Sequence, residues 1–352
     1  MLDINLELTS HCNAQCVFCV VPRRVPHGLN KRGYINKNLY YKIIRELPRC
    51  VNDPYIHPRN DGQLCLRFTG FGEPLLHPNF LEFISSINKI QGLTKVMLTT
   101  NGKLLSKQII DIILNQILDN SMIFELNIGL DAVTEQTRLI VKRLKGLKEL
   151  TQVIEYALWR KSKEGVENLK VILQFIIGED NYSELDDFIN FWALVLNKYK
   201  LKYEVCSTYP KIERGVHIWI KKRDANSHKE DEKNTKLHQT ATHKWSKHTK
   251  VITTRDTGIC KWAFNAANIS WNGLVTPCCM DVDLKLCIGD LKKQSLKEIY
   301  RSKFALKLKE SHINQDLTDF PHCNNCRLHY RNMSLDSRSL ANFKRLMERG
   351  PH

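Results

Sequence analysis

Residues 11–20 read HCNAQCVFCV, which places Cys12, Cys16 and Cys19 within eight residues of one another, directly after a short alternating stretch. Residues 3–8 alternate polar and apolar, the pattern of a half-buried strand, so the cysteine run reads as the loop that leaves a first strand. Three thiols at this spacing are too many for chance packing and one short of a closed tetrathiolate site. A cubane [4Fe–4S] cluster takes four thiolates when it is saturated. Three cysteines cap three irons and leave the fourth open to a small molecule, the logic by which catalytic metal sites differ from structural ones.

Outward from that loop, strand-like and helix-like segments alternate. A helix is expected over 37–48, ended by Pro48, and a strand over the start of LRFTGFGEPLLHP (66–78). Helical periodicity follows over 79–91. KVMLTTNG (95–102) is a strand closed by an Asn-Gly turn, SKQIIDIILNQIL (106–118) an amphipathic helix, and IFELNIGLDA (123–132) another strand. Helical sequence fills most of 134–162, NLKVILQFIIG (168–178) is a fifth strand, 182–199 a long helix, and LKYEVCS (201–207) a sixth strand. Six strand–helix alternations predict an α/β fold with a parallel sheet, curled into a partial (β/α)6 barrel of the TIM type. Chemistry in such folds sits at the carboxyl ends of the strands. There lie the cysteine loop, GFGEP (70–74), TTNG (99–102) and GLDA (129–132).

The expected organisation is a barrel domain over 1–206, a polar basic linker over 207–258, a small cysteine-rich module over 259–330 and a basic tail over 331–352. The module carries Cys260, twelve residues, Gly273, four residues and Cys278; after a further 44 residues come Cys323 and Cys326. By spacing alone, these four cysteines suit either a second iron–sulfur cluster or a tetrathiolate zinc site. Cys279 reads as a packing residue, and Cys50 and Cys65 as structural.

The composition constrains the class further. Twelve cysteines in a chain without the basic head and apolar middle of a secretory signal point to a reducing, cytoplasmic setting, where thiols bind metal rather than pair. No apolar run is long enough to span a membrane. Lys and Arg number 53 against 37 Asp and Glu, a formal charge of +16, densest between about 211 and 258. The excess is spread along the chain as a solvated surface would be, and no glycine–aromatic signature of RNA binding accompanies it. A non-catalytic zinc or iron–sulfur nucleic-acid-binding protein is the reading from a different class; its mark would be binding that falls steeply with salt.

The Cys-x3-Cys-x2-Cys loop with Phe18 before its last cysteine resembles the signature of the radical S-adenosylmethionine superfamily. GFGEP is similar to that family's Gly-Gly-Glu-Pro motif, and TTNG and GLDA to its later strand-end motifs, although Gly129 stands where the family commonly has serine. The C-terminal cysteines resemble a twitch domain, the shortened relative of the SPASM domain, with a spacing similar to enzymes related to 2-deoxy-scyllo-inosamine dehydrogenase. The resemblance implies two [4Fe–4S] clusters, one binding S-adenosylmethionine through Cys12, Cys16 and Cys19, the other auxiliary and held by Cys260, Cys278, Cys323 and Cys326. It implies cofactor contacts at Phe18, Gly70, Gly72, Glu73, Asn101, Gly129 and Asp131, with Glu73 suited to the ammonium of methionine.

In that family one electron cleaves the sulfonium and yields a 5′-deoxyadenosyl radical, which takes a hydrogen atom from the substrate. Implied partners are an electron donor such as flavodoxin or ferredoxin, and a sugar, aminocyclitol or ribosomal-peptide substrate. An auxiliary cluster favours oxidation of the substrate. Epimerisation is the alternative, with Cys206, at the end of the sixth strand, as hydrogen donor and Cys279 and Cys287 as further spare thiols. No peptide-recognition domain is expected ahead of the barrel.

Overall fold

The computed structural model describes residues 1–22, 26, 31–118, 121–223, 228–242, 259–324, 326 and 335–348. Ten strands among them form one sheet: β1 (Leu2–Leu6), β2 (Leu64–Phe68), β3 (Leu93–Thr100), β4 (Ile123–Gly129), β5 (Leu169–Ile177), β6 (Tyr203–Cys206), β7 (Val216–Lys222), β8 (Ala266–Ile269), β9 (Leu274–Thr276) and β10 (Gly289–Asp290). Their order is β10-β9-β8-β1-β2-β3-β4-β5-β7-β6, parallel from β8 through to β6 and antiparallel in the β8–β9–β10 extension.

Helices α1 (Lys37–Cys50), α2 (Phe80–Ser85), α3 (Lys107–Ile117), α4 (Glu135–Lys142), α5 (Leu147–Lys163) and α6 (Leu185–Lys198) connect the first six strands. Then come α7 (His228–Thr242), α8 (Trp262–Asn265), α9 (Leu296–Tyr300), α10 (Lys303–Asn314), α11 (Pro321–Asn324) and α12 (Ser337–Glu348). The α/β architecture with a TIM-like partial barrel and a C-terminal cysteine-rich domain is as the alternation predicts.

The alternation within strands explains why the sheet curls around a chamber. Outward residues such as Leu66, Phe68, Val96, Leu98, Phe124, Leu126, Val171 and Leu173 are buried in the helix-packed core. Most inward positions are polar: Asp3 and Asn5 on β1, Arg67 on β2, Lys95 on β3, Glu125 and Asn127 on β4, Lys170 and Gln174 on β5, with Cys65, Met97 and Ile172 among them. A parallel sheet covered on both faces by helices would be apolar on both. Here the inner face is closed at its base by paired charges. Glu125 Oε2 lies 3.0 Å from Lys95 Nζ and 3.1 Å from Lys170 Nζ, and the Tyr209 hydroxyl donates to Glu125 Oε1. Burial pushes the Glu125 carboxyl up, but the two lysines hold it below the usual range on balance.

Three expectations need correction. Pro48 does not end α1; the helix runs to Cys50, where Leu47 and Cys50 are both buried. The 79–91 helix stops at Ser85 and gives way to a 3-10 turn over Ile87–Lys89. Helix fills most of 134–162 as expected, with one break: Arg143 is left-handed at φ 56°, and α5 starts after Gly146. The cysteine loop accounts for that break, because the last carbonyls of α4, which no helix can satisfy internally, accept its amides. Gln15 N–H donates to Lys142 O at 3.0 Å and Val17 N–H to Val141 O at 2.9 Å.

The largest correction is to the linker. Residues 216–222 form β7, which inserts between β5 and β6, and residues 228–242 form α7, so the supposed spacer completes the barrel; residues 224–227 and 243–258 lie outside the described set. The expected tail over 331–352 contains α12, whose Phe343 is fully buried against Phe264 at a ring separation of 5.2 Å; its remaining residues, 331–334 and 349–352, lie outside the described set. No helix among the described residues is long and apolar enough to cross a membrane.

The C-terminal module joins the barrel by its backbone. β8 pairs with β1 in register from Asp3↔Ala266 to Leu6↔Ile269, and Glu7 N–H donates to Ile269 O at 2.9 Å. Side chains reinforce the seam: Arg301 pairs with Asp53 at 3.0 Å, and Leu296 N–H caps onto Glu46 at 2.8 Å.

Candidate active site

The loop after β1 holds Cys12, Cys16 and Cys19 half-buried, with amide donors on the sulfurs of Cys12 and Cys19. Ala14 N–H points to Cys12 Sγ at 3.5 Å, Val21 N–H to Cys19 Sγ at 3.4 Å and Asn101 Nδ2 to Cys12 Sγ at 3.8 Å. Such N–H···S contacts are a lever by which proteins tune iron–sulfur clusters. Burial pushes the Cys12 thiol up and the Cys16 thiol up to about 11, and Lys142 opposes the latter shift. Arg32, which the motif did not reveal, clamps the loop: its guanidinium donates to Ser10 O at 2.7 Å and to Val21 O. Among the described residues, no three His, Cys, Asp or Glu side chains converge on a single-ion site. The loop nonetheless fits a cubane by its donor set, since a cubane distributes its thiolates over separate irons.

The GFGEP turn presses against this loop. A Cβ at Gly72 would sit 1.9 Å from Thr9 O and 2.7 Å from His11 O, so the glycine serves a backbone-on-backbone approach to the cysteine loop, where a cofactor approach was expected. A Cβ at Gly70 would meet the Glu7 side chain at 2.8 Å, again a contact within the protein. Glu73 N–H donates to His11 O at 2.8 Å. The buried Glu73 carboxylate accepts from Leu75 N–H at 3.2 Å, Thr100 Oγ1 at 2.8 Å and Asn101 N–H at 2.8 Å. Burial raises its pKa, and these three donors work against that rise. Glu73 thus ties the ends of β2 and β3 together, and Asn101 in turn holds Asn13 Oδ1 at 2.8 Å.

At the end of β4 the sequence reading missed the partner that matters. Lys142 Nζ, buried, lies 2.6 Å from Asp131 Oδ2, and Asp131 Oδ1 accepts from Ile176 N–H at 2.6 Å. Although burial works against the Lys142 charge, Asp131 and Cys16 raise its pKa on balance. Its ammonium is 5.9 Å from the Phe18 ring, and a Cβ at Gly129 would lie 3.1 Å from it. A serine at Gly129 would crowd this ammonium, which gives the departure from the family pattern a physical reason. The signal available in sequence was Lys142 at the last turn of a helix that follows GLDA.

The fold gathers the four remote cysteines. Like-charge neighbours of Cys323 are Cys278, Cys260 and Cys326, and Cys326 acts on Cys260 and Cys278 as well. Burial pushes Cys278 up to about 12, and His322 Nε2 lies 3.8 Å from its sulfur. Buried Asp281 shapes the turn by accepting from Thr276 Oγ1 at 3.0 Å, Lys285 N–H at 2.8 Å and Leu286 N–H at 2.7 Å. Cys287 stays apart, its thiol directed to Gly289 O at 3.5 Å. Cys279, next to Cys278, has Arg67 of the barrel's inner face among its charged neighbours. Cys278 N–H donates to Thr276 Oγ1 at 3.4 Å, Thr276 pairs with Asn268 of β8, and the Asn268 side chain accepts from Asn5 on the inner face of β1, which links this cysteine to the chamber wall.

The chamber wall carries polar atoms without partners: Asn5 Oδ1, Asn127 Oδ1 and Trp219 Nε1 are buried and unpaired. Cys206 is in register with Trp219 on the outermost strand; its thiol is buried, directed to Ile218 O at 3.6 Å, and pushed up to about 12 by burial.

A parallel partial barrel with three thiols after its first strand and four more in the module paired to that strand defines a radical iron–sulfur enzyme. The chain belongs to the radical SAM superfamily, whose model matches residues 6–191, and an iron–sulfur cluster-binding domain, SPASM, matches residues 260–327. Its cofactors are accordingly S-adenosylmethionine and [4Fe–4S] clusters. The chain is 27% identical over 188 residues to the GTP 3′,8-cyclase of Vibrio parahaemolyticus serotype O3:K6 (strain RIMD 2210633), covering 53% of this chain and 49% of that protein. It is 28% identical over 187 residues to molybdenum cofactor biosynthesis protein 1 of Dictyostelium discoideum, covering 53% and 26%. The matched part is thus about half of the first of these relatives and a quarter of the second. In fold the chain is similar to BtrN in complex with AdoMet and 2-DOIA (TM-score 0.52, 13% identity, 93% of each chain covered). It is likewise similar to anSMEcpe with bound AdoMet (0.54, 14%, 99% and 96%) and to Streptococcus suis SuiB bound to S-adenosylmethionine (0.54, 11%, 97% and 74%).

Proposed function

We propose that this radical SAM enzyme dehydrogenates a carbon–hydrogen centre of a polar substrate, a sugar or aminocyclitol or a residue of a ribosomal peptide, with one auxiliary cluster taking up the second electron. The observation that carries this reading is the position of the auxiliary cysteines. Cys278 lies just past β9, where Thr276 pairs with Asn268, the hydrogen-bond partner of Asn5 on the barrel's inner face, and this supports an electron acceptor close to the substrate chamber. When bound, the loop cluster and S-adenosylmethionine supply a 5′-deoxyadenosyl radical that removes a hydrogen atom, and the auxiliary cluster supplies the oxidant.

The chain's own residues do the rest. Cys12, Cys16 and Cys19 hold three irons; Cys260, Cys278, Cys323 and Cys326 hold the second cluster. Glu73, Asn101 and Asp131 stiffen the three strand ends around the loop, with the carboxylates buried so that water does not compete for them. Asn5, Asn127 and Trp219 offer donors and acceptors to hydroxyl or amide groups. A secondary alcohol losing a hydrogen atom, a proton and an electron becomes a ketone. Epimerisation is the second reading, favoured by the placement of the Cys206 thiol on the same sheet face as Trp219.

Anaerobic reconstitution tests the reading. About eight irons per chain, from two cubanes, with 5′-deoxyadenosine formed on reduction and deuterium passing into it from a labelled carbinol, is the expected result. About four irons with bound zinc would refute the auxiliary cluster. A product of inverted configuration and unchanged mass that disappears in Cys206→Ala would replace oxidation by epimerisation.

A further inference from the structure

We infer that the outer face of α4, with the turn into α5, is the docking surface for a small acidic electron-carrier protein that reduces the loop cluster. The inference rests on the radical reading above. Helix α4 has two functions on two faces. Its buried face carries Lys142, paired with Asp131 and neighbouring Cys16, and its last carbonyls hold the backbone of Gln15 and Val17. Its outer face exposes Leu139 and Ile140, at 40% and 41%, followed by exposed Arg143. Two adjacent large aliphatic side chains in water at a helix surface, rimmed by charge, are the pattern of a contact patch.

The rim has a basic excess. Lys145 and Lys148 are exposed beyond Arg143, and exposed Lys103 reaches the same turn, its Nζ within 3.0 Å of where a Cβ on Gly146 would be. Of the acidic side chains here, Glu135 is spent on the turn itself, accepting from Gly146 N–H at 2.6 Å and Leu147 N–H at 2.8 Å. It keeps its charge, so with Glu149 there are two anions against the four cations Lys103, Arg143, Lys145 and Lys148. Electrostatic complementarity therefore selects a partner with a negative face.

Position selects its chemistry. The other flank of the cysteine loop is covered by the C-terminal module, where Trp271 packs so tightly on Gly33 that a Cβ there would lie 2.2 Å from the indole. An electron entering across α4 arrives on a flank other than the one that the module covers, so the carrier and the module do not compete for one surface. The step is a plain one-electron exchange: the carrier is oxidised by one electron, the loop cluster is reduced by one, and no atom moves.

The test compares two reductants on the reconstituted enzyme, reduced flavodoxin and dithionite, by the rate of 5′-deoxyadenosine formation. The variant is Arg143→Glu with Lys145→Glu and Lys148→Glu, none of which touches a cysteine or the chamber. At low salt the flavodoxin-driven rate is expected to fall about tenfold or more, within the range of electrostatic steering, while the dithionite-driven rate is unchanged. In the wild type, added salt should lower the flavodoxin-driven rate towards that of the variant. A flavodoxin rate that survives charge reversal, or one that is insensitive to salt in the wild type, overturns the docking surface. Equal losses with both reductants overturn it too. Wild-type enzyme that forms no 5′-deoxyadenosine even with dithionite instead refutes the radical reading on which the surface depends.

Discussion

The two cysteine sets are built in opposite ways. Cys12, Cys16 and Cys19 come from one loop, held by local amide contacts and by the carbonyl ends of α4. Cys260, Cys278, Cys323 and Cys326 come from three separate segments and meet only because β8, β9 and α10 bring those segments together. A local set can keep its geometry while distant parts of the chain loosen. A long-range set is only as ordered as the module around it. The difference teaches that the first cluster is insured by its loop and the second by the fold.

Removal of one ligand from each set draws the contrast most sharply. Cys16→Ser should leave about four irons per chain and take 5′-deoxyadenosine formation below detection, read by iron analysis and chromatography. Cys323→Ala should lose the same number of irons yet still cleave S-adenosylmethionine, with the oxidised product lost; cleavage lost along with product would erase the distinction between the two sets. Next in size is Lys142→Met, which leaves buried Asp131 unpaired. A cost of about 3–5 kcal/mol is expected for a broken buried pair, together with weaker iron retention at the loop alone; equal losses at both sites would mean that the loop depends on the whole fold.

The smallest effect concerns the footing of the auxiliary module. Lys309 on α10 is fully buried, donates to Tyr55 O in the α1–β2 connection, and lies 4.9 Å from the Tyr300 ring and 5.1 Å from that of Phe343. Burial holds its ammonium down to about 7. The unfolded chain keeps that proton until about pH 10.4, so between these values the unfolded state binds more protons and stability rises with pH. Lys309→Met should flatten that rise in the unfolding midpoint measured between pH 7 and 9.5, while the iron content of the loop cluster stays unchanged.

The legible parts of the molecule were those written locally. The cysteine loop, the strand-end motifs and the first six strands follow from periodicity and spacing, because each is fixed by residues a few positions apart. β7 was hidden because VHIWIKK lies among polar sequence and takes its place between β5 and β6 only through pairing with both. Lys142 was hidden for a related reason: its meaning comes from Asp131 eleven residues earlier and from a loop over 120 residues away. Gly72 was legible as a glycine with a purpose, but which backbone it admits was visible only once Thr9 O stood next to it.

The β1–β8 ladder has one more consequence. Strands advance about 3.3 Å per residue; the Cys12 loop leaves the carboxyl end of β1, while Cys260 precedes β8 and Cys278 follows β9, antiparallel to it, so the two cysteine sets stand at opposite ends of one rigid backbone gauge. The tunnelling distance between the centres is thus quantised by hydrogen-bond register: repacking the core would soften the protein without detuning it, whereas a slip of a single rung would alter the gap and turn every chamber residue of β8 outward.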